Sequence, residues 1–120
     1  MKKLIRFIIL VVFTLSMTSC YYDQIEEELV EIQPGAVVEF AADIQPIFAA
    51  YSCTDCHNGT LDPDLRAGNE YSSLVPEYVT AGNAGGSELY TKLANEGHAG
   101  VDNNSLALIQ EWINSGALNN

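Results

Sequence analysis

Positive charge is the scarcest resource in this 120-residue chain: five Lys and Arg stand against sixteen Asp and Glu. Lys2, Lys3 and Arg6 lie at the very start, so beyond Cys20 only Arg66 and Lys92 oppose all sixteen acids. An anionic chain of this kind repels phosphate, which excludes nucleic acid as a partner and electrostatic attraction to an anionic bilayer. Methionine is also scarce, and both copies, Met1 and Met17, precede Cys20, so no thioether is available afterwards as a soft metal ligand. Histidine occurs twice, as His57 and His98, and cysteine three times, as Cys20, Cys53 and Cys56. The longest apolar run, Phe7 to Leu15, is shorter than the roughly 18 residues a membrane-spanning helix requires.

The start of the chain reads as an export signal. A basic n-region is followed by the apolar stretch and then by Met17-Thr18-Ser19-Cys20. Ending at a cysteine behind small residues, residues 1–19 resemble a bacterial lipoprotein signal, although Met17 stands where Leu is usual. The resemblance implies cleavage before Cys20, lipidation of Cys20, and a membrane-anchored protein in the periplasm or at the cell surface. Residues 20–39 then form an acidic tether: Asp23, Glu26, Glu27, Glu28, Glu31 and Glu39 repel one another, and Pro34-Gly35 interrupts them. A short helix over Gln24 to Ile32 is compatible with this stretch.

Chemistry concentrates in Cys53-Thr54-Asp55-Cys56-His57, a Cys-x-x-Cys-His motif that reads as a covalent attachment site for c-type haem. Cysteines three positions apart on a helical turn face the same side, so both sulfurs reach the vinyl groups along one porphyrin edge. His57 follows as the proximal iron ligand. Three other readings exist. A redox-active thiol pair expects alternating strands and helices, which the chain lacks. A zinc site expects a second short-spaced ligand pair, and His98 stands alone. A structural disulfide would close a loop too short to constrain the unfolded chain much. Haem attachment and export agree with each other, because c-type haem is attached outside the cytoplasmic membrane.

The domain is expected over residues 40–120. Phe40, Ile44, Ile47, Phe48 and Tyr51 recur at helical spacing, with a helix starting near Ala42-Asp43, Pro46 in its first turn, and its end running straight into Cys53. Leu61 to Gly68 is loop; Leu61 and Leu65 are candidate haem contacts, and the backbone near Pro63 is placed to accept a bond from the outer nitrogen of His57. Arg66 is a candidate partner for a haem propionate. Glu70 to Leu74 reads as a short helix bringing Leu74 inward, and Val75 to Thr80 as an extended stretch. The glycines from Gly82 to Gly86 form a turn before a helix capped by Ser87, running from Glu88 to about Asn95 and presenting Leu89, Tyr90 and Leu93. Leu74 and Leu89 complete the candidate haem contacts. After a loop holding His98, Asp102 caps a last helix, Asn103 to Ser115, that carries Leu106, Ile109 and Ile113 with Leu108 and Trp112 and stops at Gly116. Trp112 is expected where the first and last helices cross.

Together, Asp43-Ile44-Gln45-Pro46-Ile47-Phe48, the motif from Cys53 to His57, and the stretch from Ile109 to Ala117 resemble the class I-like monohaem c-type cytochrome domains of lipoprotein type. The resemblance covers Phe40 to Asn120. It implies an all-α fold, a small bundle of about four helices around one covalent haem c. It also implies a one-electron carrier rather than an enzyme. The acidic charge leads to expecting a redox partner with a basic or dipolar docking face, plain solubility being the other reading of that charge. That family usually supplies a Met from the loop before the last helix as sixth iron ligand. No Met exists there, and His98 lies in that loop, so His98 is the expected distal ligand and a lowered reduction potential its consequence. An open distal position would instead suit a ligand-binding sensor or peroxidase-like domain, and a zinc-stabilised interaction module is the further alternative.

Overall fold

The computed structural model describes residues 36–120, so the expected signal, the lipid acceptor Cys20 and the tether as far as residue 35 lie outside the described residues. Helices alone build the described part: α1 (Gln45–Ala50), α2 (Glu70–Leu74), α3 (Glu88–Asn95) and α4 (Asn103–Asn114), with no strand among the described residues. The all-α expectation holds. None of these helices is long and apolar enough to cross a membrane.

The chain enters the core two residues before the expected domain start, at the buried Val38. A wide π turn, Phe40–Ile44, then leads into α1 and closes on a bond from the Gln45 amide to the Phe40 carbonyl. The helix therefore starts earlier than Ala42-Asp43. Pro46 sits at the first positions of α1, where a missing amide is tolerated. Its ring disfavours tight winding against the carbonyl four residues back, and the wider turn before it accommodates this. The first amides find partners elsewhere: Glu39 N donates to the Asp43 carboxylate at 2.8 Å, Phe40 N to Asn120 Oδ1 at 3.0 Å, and Ala41 N to the Asn120 carbonyl at 3.0 Å.

α4 supplies the other half of the core. Asp102 caps it, its Oδ1 accepting from Ser105 N at 2.9 Å. Ile109, Trp112 and Ile113 are wholly buried, while Leu106 and Leu108 pack at the margin of the core. Trp112 meets Phe40 with ring centroids 5.1 Å apart, and Tyr71 of α2 stands edge-on to Phe40 at 5.3 Å. Trp112 thus sits where the first and last helical segments meet. Both polar tips in this trio are satisfied by the chain just past α4: Trp112 Nε1 donates to the Leu118 carbonyl at 2.9 Å and Tyr71 Oη to the Ala117 carbonyl at 2.8 Å. Gly116 makes that reversal possible with a φ of 110°, a region costly for a side chain.

Two connections differ from expectation. Val75 to Tyr78 form a turn rather than an extended stretch, with Tyr78 N donating to the Leu74 carbonyl at 2.8 Å. Ser87 occupies the N-cap position of α3, but its side chain does not cap that helix. Fully buried, its hydroxyl accepts from Thr80 N at 2.9 Å and donates to the Asn83 carbonyl at 2.8 Å. A buried hydroxyl must be satisfied, and here it ties two loops together instead.

Candidate cofactor site

α1 does not run straight into Cys53. It stops at Ala50, Ser52 turns left-handed with a φ of 53°, and a separate 3₁₀ turn, Cys53–Asp55, begins. The carbonyl of Cys53 accepts from Cys56 N at 3.3 Å and from His57 N at 2.9 Å, so one tight turn carries both sulfurs and the imidazole. The thiols are free of each other, Cys53 half-buried and Cys56 exposed. Burial pushes the Cys53 thiol above its ordinary pKa, its own backbone hydrogen bond offsetting this only in part. A cysteine held in its protonated form is a poor match for a redox-active thiolate pair.

His57 Nδ1 lies 3.1 Å from the Pro63 carbonyl oxygen. A carbonyl can only accept, so Nδ1 carries the proton and Nε2 keeps its lone pair for a metal. The same loop is stitched back by Leu65 N donating to the His57 carbonyl at 2.9 Å. In the folded chain these bonds set the position and tautomer of the imidazole without a metal.

Cys53, Cys56 and His57 open onto a cavity of about 510 Å³. That lies within the range of cofactor-sized pockets, roughly 300–1,000 Å³. Its walls come from Ile47 and Phe48 of α1, Leu74 of α2 and Leu93 of α3, with Leu65 and Val101 from loops. Leu61, Leu65, Leu74 and Leu89, the four apolar residues anticipated from the sequence, all line it. Arg66 does not. Its guanidinium pairs with Asp64 at 2.7 Å in a bidentate contact that leaves the arginine mostly exposed. Asp64, held by that guanidinium, is driven well below the usual carboxylate range. Lys92 is the cation that reaches the cavity wall, where it pairs with Glu96 at 3.0 Å, and that pairing raises its pKa. Asp62, Glu88 and Glu96 share the rim. Beside them, partial burial and then the charges of Asp62, Glu77 and Glu88 raise the pKa of Tyr78.

His98 lies on the 3₁₀ turn His98–Gly100 and is exposed toward the same cavity. Its ring centroid is 6.2 Å from that of His57, the planes inclined at 75°. Two metal–nitrogen bonds of about 2.0–2.1 Å, plus the distance from nitrogen to ring centre at each end, bring bridged imidazoles to about 6 Å. Among the described residues no group of three His, Cys, Asp or Glu could hold a metal ion. A zinc ion takes three or four such ligands from the protein, whereas an iron held by a porphyrin would need only two. The apolar walls, the two free thiols and the two imidazoles are the residue types that would hold a covalent haem.

Two contributors escape a reading of the sequence. Tyr51 is legible there only as part of an apolar stripe, and Asp102 only as a helix cap. In the fold, Tyr51 lines the cavity and its hydroxyl donates to Asp102 Oδ2. That bond, with the Ser105 amide, lowers the Asp102 pKa to about 2. The available signal was a polar-tipped aromatic two residues before the haem motif. Lys92 could have been found as the one cation besides Arg66 beyond Cys20. Comparison with known protein families, with curated proteins and with solved structures finds no match to the chain.

Proposed function

We propose that the chain is a membrane-tethered monohaem c-type cytochrome, a one-electron carrier of the cell envelope rather than an enzyme. The observation that carries this reading is the convergence of Cys53, Cys56 and His57 on one apolar cavity with His98 facing His57 at 6.2 Å between ring centroids. Haem, when bound, supplies an iron that exchanges one electron without bond making at the protein. Cys53 and Cys56 would hold it as thioethers, formed by addition of each thiol across a vinyl group with no net oxidation or reduction. His57 donates Nε2 to the iron, and the Pro63 carbonyl keeps that ring from rotating. His98, facing His57, would also hold the iron, which would keep small molecules off the metal and favour the carrier over a sensor or peroxidase-like role.

The rest of the chain suits the same task. Ile47, Phe48, Leu65, Leu74 and Leu93 exclude water from the ring faces, and Lys92 is the group placed to meet a propionate. Asp62, Glu88 and Glu96 at the rim favour a redox partner with a basic docking face, whose approach they accelerate. Lipid at Cys20 and the acidic tether behind it would hold the domain near a membrane while like charge keeps it off the surface.

The test is chemical. The full chain, matured in cells that attach haem c, is expected to stay red through denaturing electrophoresis and acidified-solvent extraction. The Cys53→Ala/Cys56→Ala variant is expected to lose that colour. Pigment that leaves with the solvent, or a colourless protein, refutes the reading.

A further inference from the structure

We propose that Tyr51 is a positioning residue for His98: its hydroxyl, bonded to Asp102, holds the distal loop across the cavity from His57. This inference rests on the haem reading above.

The loop that carries His98 has little to hold it from within. Gly97, Ala99 and Gly100 take φ values of 65°, 64° and 62°, and Ala99 does so with a side chain. Left-handed backbone is disfavoured for alanine, so this shape persists because its surroundings impose it. Residues 95–100 are all exposed, and the internal bond from Gly100 N to the Gly97 carbonyl is long at 3.3 Å. The shape must be imposed at the loop's ends. One end is α3; the other is Val101-Asp102.

Asp102 meets Tyr51, 51 residues earlier in the chain. Tyr51 Oη donates to Asp102 Oδ2 and accepts from Asp102 N at 3.1 Å, so one hydroxyl grips both side chain and backbone. The tyrosine is itself fixed, its amide donating to the Ile47 carbonyl at 3.1 Å, and it stands two residues before Cys53. The segment that would carry the haem is thus tied directly to the loop that would carry its sixth ligand.

Capping of α4 does not explain this bond. Asp102 Oδ1 accepts from Ser105 N at 2.9 Å with no help from Tyr51, and Oδ2 also accepts from Ser105 Oγ at 2.9 Å. The cap is complete without the phenol. What the phenol adds is a fixed distance between the two walls of the cavity, and Tyr51 lines that cavity with the rest of its ring.

The test compares full-length haem-loaded wild type with Tyr51→Phe, which keeps the ring and removes the hydroxyl. Loss of a hydrogen bond to a carboxylate is expected to raise the population with His98 detached by roughly 10- to 100-fold. Carbon monoxide binding to the ferrous protein accelerates by the same factor, and a high-spin ferric fraction grows, while covalent colour on denaturing gels is unchanged. In a His98→Ala background the Tyr51→Phe change has no further effect on either reading. Wild-type spin state and carbon monoxide rate in Tyr51→Phe overturn the proposal, even if the melting temperature falls. An equal acceleration in the His98→Ala background also overturns it, since the tyrosine would then act other than through His98. A wild type that never carries covalent haem overturns the haem reading itself, which the gel shows independently of the variants.

Discussion

The cavity beside Cys53 and Cys56 bears on the energetics of the whole domain. In large-to-small core substitutions the cost of residual space is about 24 cal/mol per Å³. Applied to a cavity of about 510 Å³, that slope gives about 12 kcal/mol for leaving it empty and dry. The mouth is open, so water enters and the figure is an upper bound; Ile47, Phe48, Leu65, Leu74 and Leu93 are themselves buried and add nothing to it. A domain of this size has a net stability of roughly 5–10 kcal/mol, the same order as that bound, so even part of the penalty removes much of it. The chain without haem is therefore expected to be largely unfolded, and the haem-bearing chain to fold cooperatively. The perturbation is Cys53→Ala/Cys56→Ala, or expression without haem attachment. The assay is far-ultraviolet circular dichroism on heating, wild type beside variant. A haem-free chain with native helix content and a cooperative melt would refute this accounting and show that the helices need no plate to pack against.

Other consequences follow from single residues. Trp112→Ala removes the ring stacked on Phe40 and the donor to Leu118, and should lower the unfolding free energy of the haem-loaded protein by about 3–5 kcal/mol in denaturant titration. His98→Ala should give an iron that binds carbon monoxide readily, and the parent should show a lower reduction potential than Met/His-ligated cytochromes; an unchanged low-spin spectrum in the variant would remove His98 as ligand. Asp102, whose folded pKa is lowered to about 2 by the Tyr51 hydroxyl and the Ser105 amide, contributes stability that is fully present above the ordinary carboxylate pKa. That contribution is lost as pH falls through about 2, so an acid titration of the distal loop should show a step there that Asp102→Asn lacks. Electron transfer with a basic partner should slow as ionic strength rises, and a rate independent of salt would discount the acidic rim.

The sequence carried local information well. Glu70–Leu74 and Glu88–Asn95 stand where periodicity puts them, and Asp102 caps the last helix as expected. Each of these rests on neighbours within a few positions. The departures share a different cause. Ser52 breaks the helix before the haem motif because the motif's own turn must point its sulfurs into the cavity, and no periodicity encodes that reversal. Ser87 has a cap's position and a hub's bonds, because Thr80 and Asn83 lie beside it only in the folded chain. Arg66 is drawn away by Asp64, two residues distant, a local competition visible in the sequence but decided by geometry. The pairing of Tyr51 with Asp102 spans half the domain and has no local trace at all.

The apolar residues divide into two groups with different duties. Phe40, Tyr71, Trp112, Ile109 and Ile113 close on one another, and the ring tips of Tyr71 and Trp112 are tied off by the chain after α4. Ile47, Phe48, Leu65, Leu74 and Leu93 belong to the same buried cluster and also line the cavity. The first group is a finished core whose role is to hold α1, α2 and α4 in register. The second forms the cavity wall, which on the haem reading the ring would complete. Cys53, Cys56, His57 and His98 all stand on short turns between helices, at the seam where the cavity opens. Rigid elements therefore set the spacing while the turns supply the chemistry. Damage to the aromatic group should lower stability without altering how the iron is held, whereas damage to the turns should alter ligation with little loss of helix. His57 is held from outside the cavity by the Pro63 carbonyl, a bond that involves no metal, so on the haem reading an arriving electron would ask little motion of that ring.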